Sequence, residues 1–178
     1  MDATYQSPET IDGSANSSND AGTPGLDGNI QIIPGDRIPL ILHHLGKAFA
    51  DYQVTSKLLI DLSFLAVSSS YARGNENNLS QADGKFYLGP GTSPGYGVTN
   101  LGAHYQIHRR LQLFVQMNNL FNHHYYTAAQ LGSTPFTNSG TIAIRALPAV
   151  NGNFQVVHAT FYAPGAPFGA GGGIRFTF

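Results

Sequence analysis

Cysteine is absent from the 178-residue chain, which excludes a disulfide scaffold and a thiolate metal site. Charge is scarce. Asp, Glu, Lys and Arg together make up 11% of the residues, against ~25% in an ordinary soluble domain. The net charge is −1 and the densest basic spot is only the pair Arg109-Arg110, so the electrostatic footprint of a nucleic-acid binder is missing. No run approaches the ~20 continuous apolar residues of a membrane-spanning helix. The best attempt, Leu58 to Val67, is broken by Asp61 and Ser63. The opening residues Met1 to Gln6 lack the basic start and apolar core of a signal peptide. Catalytic signatures are missing too: there is no Gly-x-Ser-x-Gly elbow, no His-Glu-x-x-His pair and no phosphate-binding loop. The chain reads as a non-enzyme that needs no cofactor.

Apolar and aromatic residues, by contrast, are plentiful. Hydrophobic types reach 42%, with 11 Phe and 9 Tyr, the reverse of a disordered composition. Several stretches alternate with period two. Leu58, Ile60, Leu62, Phe64 and Ala66 share one parity, with Asp61 and Ser63 on the other. Leu101, Ala103, Tyr105 and Ile107 alternate with Asn100, Gly102, His104 and Gln106. Leu111, Leu113, Val115 and Met117 alternate with Gln112, Phe114, Gln116 and Asn118. Ala170, Gly172, Ile174, Phe176 and Phe178 lie opposite Arg175 and Thr177. This is strand periodicity, and no stretch carries a helical repeat. Strands are expected as a stub at 2–7 and at 43–55, 58–73, 96–107, 111–127 and 166–178.

Gly and Pro punctuate the rest, and loops are expected at 8–42, 74–95 and 128–164. Short turns fall near 55–57 and 108–110. Short turns alternating with long loops, on strands that are apolar on one side and polar on the other, describe a transmembrane β-barrel. Lipid cannot satisfy backbone groups, so spanning strands must pair laterally. Aromatics sit where two interfaces would fall. Tyr71, Tyr96, Tyr125 and Tyr126 border the long loops, and Tyr52, Tyr105, Phe176 and Phe178 lie near the short turns. The fold class read here is all-β, an antiparallel transmembrane β-barrel segment of about six strands. A soluble β-sandwich with tyrosines at its strand ends is the competing description.

Five sequence boxes go further. Asn118-Asn119-Leu120-Phe121-Asn122 followed by Tyr125-Tyr126 resembles the "NNLF…Y" box of TonB-dependent outer-membrane receptors. Gly35-Asp36-Arg37-Ile38-Pro39, His44 and Ala50-Asp51-Tyr52 resemble that family's "G-x-R-I/L-P…H…A-D-Y" segment. Gly95-Tyr96-Gly97-Val98-Thr99-Asn100-Leu101 is similar to its "Y-x-V-x-N/D-L" strand start. Tyr162-Ala163-Pro164-Gly165-Ala166-Pro167 is similar to its "Y-x-P-G-A-P" entry to the last strand. Phe176 and the terminal Phe178 resemble the signal read by the barrel-assembly machinery. One departure is the glycine-rich run Phe168 to Gly173, which lacks the family's usual basic residue.

The resemblance implies an energy-coupled importer of the Gram-negative outer membrane. Family barrels have ~22 strands around a plugged lumen. They take up iron–siderophore complexes, cobalamin or some saccharides, driven through TonB. The implied partners are outer-membrane lipid, the barrel-assembly machinery, the remainder of the barrel and its plug, the TonB complex through an N-terminal part not found in this sequence, and a ferric siderophore or similar ligand. Six strands are fewer than the ~8 that close the smallest bacterial barrels. The chain is therefore expected to be the C-terminal piece of a larger receptor, non-transporting alone. The rival is a self-contained outer-membrane β-protein that binds, adheres or oligomerises into a pore.

Individual candidates are few. Asp36 and Arg37 are read as a turn that could also meet a ligand. The paired histidines His43/His44 and His123/His124 point to opposite faces if they lie on strands, so they are expected at strand ends and not as a chelate. His104, His108 and His158 have no ligand-like spacing around them.

Overall fold

The computed structural model describes residues 3–12, 29–79, 87–137, 139–142 and 156–178. All regular elements among them are β-strands: β1 (Glu9–Asp12), β2 (Asn29–Ile32), β3 (Leu45–Thr55), β4 (Leu58–Val67), β5 (Ser70–Tyr71), β6 (Thr92–Ser93), β7 (Tyr96–His108), β8 (Leu111–Asn118), β9 (Tyr126–Thr137), β10 (Val156–Pro164) and β11 (Gly169–Phe176). They fall into two compact units. One comprises Met1–His43, Ser69–Ser93 and Thr127–Ala163, and the other His44–Ser68, Pro94–Tyr126 and Pro164–Phe178.

The second unit is a five-stranded antiparallel sheet in the order β11-β8-β7-β4-β3. Alternation sets its faces, because residues paired directly across an antiparallel ladder point the same way. Two short hairpins, β3–β4 and β7–β8, close one end by the same device. Gln53 Nε2 donates to the carbonyls of Thr55 and Leu58. Gln106 Nε2 donates to those of His108 and Leu111. In each hairpin the register shifts just after the glutamine, between Gln53 and Thr55 and between Gln106 and His108. The Thr55 hydroxyl also accepts from the backbone N–H groups of Lys57 and Leu58.

The first unit folds from the three glycine- and proline-rich stretches. Its core is Ile30, Ile32, Ala72, Tyr87, Ala129 and Leu131, with Tyr5 and Tyr162 packed against it. Backbone hydrogen bonds join distant segments: Ala72 N to Gly91 O at 2.9 Å and Leu131 N to Arg73 O at 2.8 Å. Asn75 is fully buried and donates to Gly91 O at 2.9 Å. β1 pairs with β2, β5 with β6, and β9 with β10.

Several expected boundaries change. The stub at 2–7 is not a strand: Thr4 makes an isolated bridge with Arg37, and the first strand is β1 at Glu9–Asp12. The strand expected at 58–73 stops at Val67, where Ser68 and His44 exchange bonds, Ser68 N to His44 O at 3.0 Å and His44 N to Ser68 Oγ at 3.0 Å. The strand expected at 111–127 stops at Asn118, because Asn119 turns into the left-handed region at φ 50°. Within the stretches read as loops, β1, β2, β6, most of β9 and β10 form paired strands, while β5 lies inside the strand expected at 58–73. β9 was hidden by Gly132 and Pro135, which read as loop punctuation. Residues 13–28, 80–86, 138 and 143–155 of those stretches, with Met1 and Asp2, lie outside the described residues.

Candidate functional site

The five-stranded sheet has two unlike faces. On one, Ala50, Leu62, Leu101, Met117 and Ala170 form a register row, Tyr52, Ile60, Ala103, Val115 and Gly172 the next, and Leu58, Tyr105, Leu113 and Ile174 a third. Phe64 and Ala48 extend it one way, and Leu111 with Phe176 the other. This face holds no Asp, Glu, Lys or Arg, and its one histidine, His108, pairs with Leu111 at the turn end. It is not packed as a core: Leu113 is 37% exposed and Phe176 56%. From Leu58 to Ala66 the apolar positions of β4 cover about 27 Å along the strand, or about 20 Å at a barrel-like tilt.

The opposite face carries the polar side chains. Asp51 pairs across with Asp61, Asp61 with Gly102, His104 with Phe114, and Gln112 with Arg175. His104 Nε2 lies 3.3 Å from Asp61 Oδ2, poorly aligned for a hydrogen bond, so the pair attracts when the imidazole is protonated. Gly102 makes room here for the Asp61 carboxylate, which fills the space a Cβ would occupy. Phe114 covers Gly173 in the same way. It also stacks with His104 at 6.4 Å and lies 6.0 Å from the Arg175 guanidinium carbon. This face is not purely polar: Phe49 is 75% exposed on it, and Leu59, Leu65 and Val98 share it.

At the end away from the short turns, three of the five boxes read from the sequence meet in one clamped corner. Asn119 is 3% exposed. Its backbone N–H donates to Asn100 Oδ1 at 2.9 Å, and its Nδ2 donates to the carbonyls of His123 at 2.9 Å and Ala166 at 3.0 Å. Its Oδ1 accepts from His123 N at 2.8 Å. Asn100 in turn donates to the Ser63 hydroxyl at 3.2 Å. Leu120 N bonds Thr99 O at 2.7 Å. Asn122, also left-handed at φ 48°, accepts from Phe168 N at 2.9 Å. Tyr125 packs on Tyr96 with ring centroids 4.4 Å apart and fills the space beside Gly165, whose N–H donates to Tyr125 O at 2.8 Å.

The structure thus brings Asn119, Leu120, Tyr125 and Gly165 together, with Asn118 at the end of β8 and Phe121 exposed. Tyr126 opens β9, Pro164 closes β10, and Pro167 lies between β10 and β11. Asp51 and Tyr52 lie elsewhere, back to back on β3, one on each face. Phe176 ends β11, and Phe178 packs edge-on to it at 5.2 Å.

Arg37 and Pro39 belong to the first unit. There Arg37 N donates to Asn78 Oδ1 at 2.6 Å and Asn78 Nδ2 returns a bond to Arg37 O at 3.0 Å. Asp36 caps its own turn, its Oδ2 accepting from Ile33 N at 3.0 Å, with Gly35 at φ +100°. Beneath it the Tyr5 phenol is pushed above its ordinary value, first by burial and then by Glu76, Glu9 and Asp36.

His43 and His44 precede β3, and His123 and His124 lie between β8 and β9. The described residues contain no group of three His, Cys, Asp or Glu placed to hold a metal ion. Sequence reading placed Asn100 in a box without naming its partners, and it did not single out Asn75 and Asn78, or the turn glutamines. Only the position of Gln53 and Gln106, each five residues before the leucine that opens the next strand, could have flagged the last two.

This two-faced antiparallel sheet with a clamped corner shares its fold with part of solved outer-membrane β-barrel receptors. Among solved structures it matches the siderophore receptor PiuA from Acinetobacter baumannii at TM-score 0.53 and 12% identity, over 80% of this chain and 15% of that one. It matches the ferric-catecholate import receptor Fiu from E. coli K12, in its closed form, at TM-score 0.51 and 16% identity, over 84% of this chain and 17% of that one. The chain therefore spans about one-sixth of the length of the receptors it matches. At sequence level no protein-family model matches, and no curated protein does.

Proposed function

We propose that the chain forms part of the wall of a TonB-dependent outer-membrane receptor, and that the cargo of the whole receptor is an iron–siderophore complex. The observation that carries this reading is the apolar face, which runs uncharged across all five strands while the facing parity holds Asp51, Asp61, His104 and Arg175. A soluble sandwich would cover such a face with a second layer. A bilayer covers it without one. The likeness to siderophore receptors supports the cargo. Capture outside the cell would draw on the segments 8–42, 74–95 and 128–164, and the chain would work with the rest of the barrel and its plug. No bond in the cargo is made or broken.

Membrane partition tests the wall. Leu62→Lys and Leu101→Lys, at mid-face, should each weaken insertion into phosphatidylcholine vesicles by about 2–4 kcal/mol. Ser63→Lys, one residue away on the other face, should leave it within about 0.5 kcal/mol. Equal effects on the two faces would reject the reading. Uptake of radio-iron as a ferric catecholate by iron-starved cells, with and without the coding region, tests the cargo. Uptake indifferent to its loss would reject iron import.

A further inference from the structure

We infer that the short-turn end of the sheet is a docking rim for the anionic headgroups of phospholipids. This rests on the membrane reading above and adds to it a lipid chemistry and a place.

The charges are unevenly divided along the chain. The second unit carries five bases, Lys47, Lys57, Arg109, Arg110 and Arg175, against two acids, Asp51 and Asp61. The three segments of the first unit hold eight of the ten Asp and Glu but only four of the nine Lys and Arg. Within the second unit the bases gather where the strands turn. Lys57 lies in the β3–β4 turn, and Arg109 and Arg110 form the β7–β8 turn. All three are exposed. Neither acid competes with them there. The Asp51–Asp61 pair is the fourth register pair up from the β3–β4 turn, and it sits on the polar face, away from the apolar one.

The rim borders the apolar face directly. Leu58 follows Lys57, and Leu111 follows Arg110. Tyr52, Tyr105 and Phe176 lie in the last rows of that face before the turns. Ordered from the sheet's middle outward, the surface runs aliphatic, then aromatic, then cationic. Those are the needs of acyl chain, interface and phosphate in turn. Each cation near an anionic surface adds attraction that salt screens. The turn backbones are held by Gln53, Thr55 and Gln106, so Lys57, Arg109 and Arg110 are not needed for the fold of the turns and are free to meet lipid.

The test uses the full chain with vesicles of phosphatidylcholine alone, or with about one-third phosphatidylglycerol. Binding is read by flotation, and insertion by protection from protease. The wild type should gain about tenfold or more in partition with phosphatidylglycerol, and about 1 M salt should erase the gain. The triple variant K57Q/R109Q/R110Q should bind phosphatidylcholine like the wild type and show no gain. K47Q, whose lysine lies far from the turns, should keep it.

Equal gain in wild type and triple variant, with both inserted, would overturn the rim and leave the wall reading standing. A gain that depends on the three bases, without insertion into phosphatidylcholine, would sustain the rim and sink the wall. No binding to either vesicle would overturn both.

Discussion

The ring of Tyr125 occupies the space that a side chain at Gly165 would need, while Gly165 N–H donates to Tyr125 O at 2.8 Å. Ring and backbone are locked from opposite ends of one contact. Gly165→Ala should therefore cost about 1–3 kcal/mol, because the ring must leave Tyr96 to make room. Gly171 is the internal control: nothing lies within 4 Å of a Cβ built there, so Gly171→Ala should be neutral or stabilise by up to about 1 kcal/mol. Urea midpoints in detergent micelles compare the two. Equal losses would refute the ring-locking account.

Asn119 combines a left-handed backbone with three side-chain bonds. Asn119→Gly removes the bonds and relieves the φ. It should cost about 1–3 kcal/mol, the price of leaving buried backbone groups unmatched. Asn119→Ala should cost about 1–2 kcal/mol more, since alanine resists that conformation. Thermal unfolding of the pair separates the two contributions, and identical losses would mean that φ 50° carries no strain.

The paired glutamines predict additivity. Gln53→Leu and Gln106→Leu should each weaken the sheet by about 1 kcal/mol. The double variant should lose the sum, because each amide serves only its own hairpin turn. A shortfall in the double-mutant cycle would show that the turns are coupled.

Tyr5 sets an alkaline limit on the first unit. Its phenol keeps its proton to higher pH in the folded chain than in the unfolded one, through burial and then through Glu76, Glu9 and Asp36. The associated stability is intact below the ordinary phenol value of 10.0 and is lost as pH climbs from there through the folded value. Tyr5→Phe should flatten that decline. An unchanged slope between pH 10 and 12 in the variant would refute it.

What the sequence made legible and what it hid divide on physical lines. The faces of β4, β7, β8 and β11 were readable because each position alternates by itself: Leu101 and Asn100 declare their sides without reference to any partner. The turn at Asp36 was readable for the same local reason. The first unit's core was not. Ile30, Tyr87 and Leu131 come from separate Gly- and Pro-rich stretches and Ala72 from the end of the strand expected at 58–73, and no local pattern announces that they meet. The Asn119 corner lay between these extremes. Its residues stood out as boxes, but their purpose depends on Asn100 and Ala166, which lie 19 and 47 positions away.

That corner also fixes an order of events during folding. Its three lengths of chain cannot meet until the intervening loops have closed, and closing long loops is slow. The two glutamine-clamped hairpins need no such wait. They should form early, and the asparagine latch should shut late, as the step that commits the final strand to its neighbour.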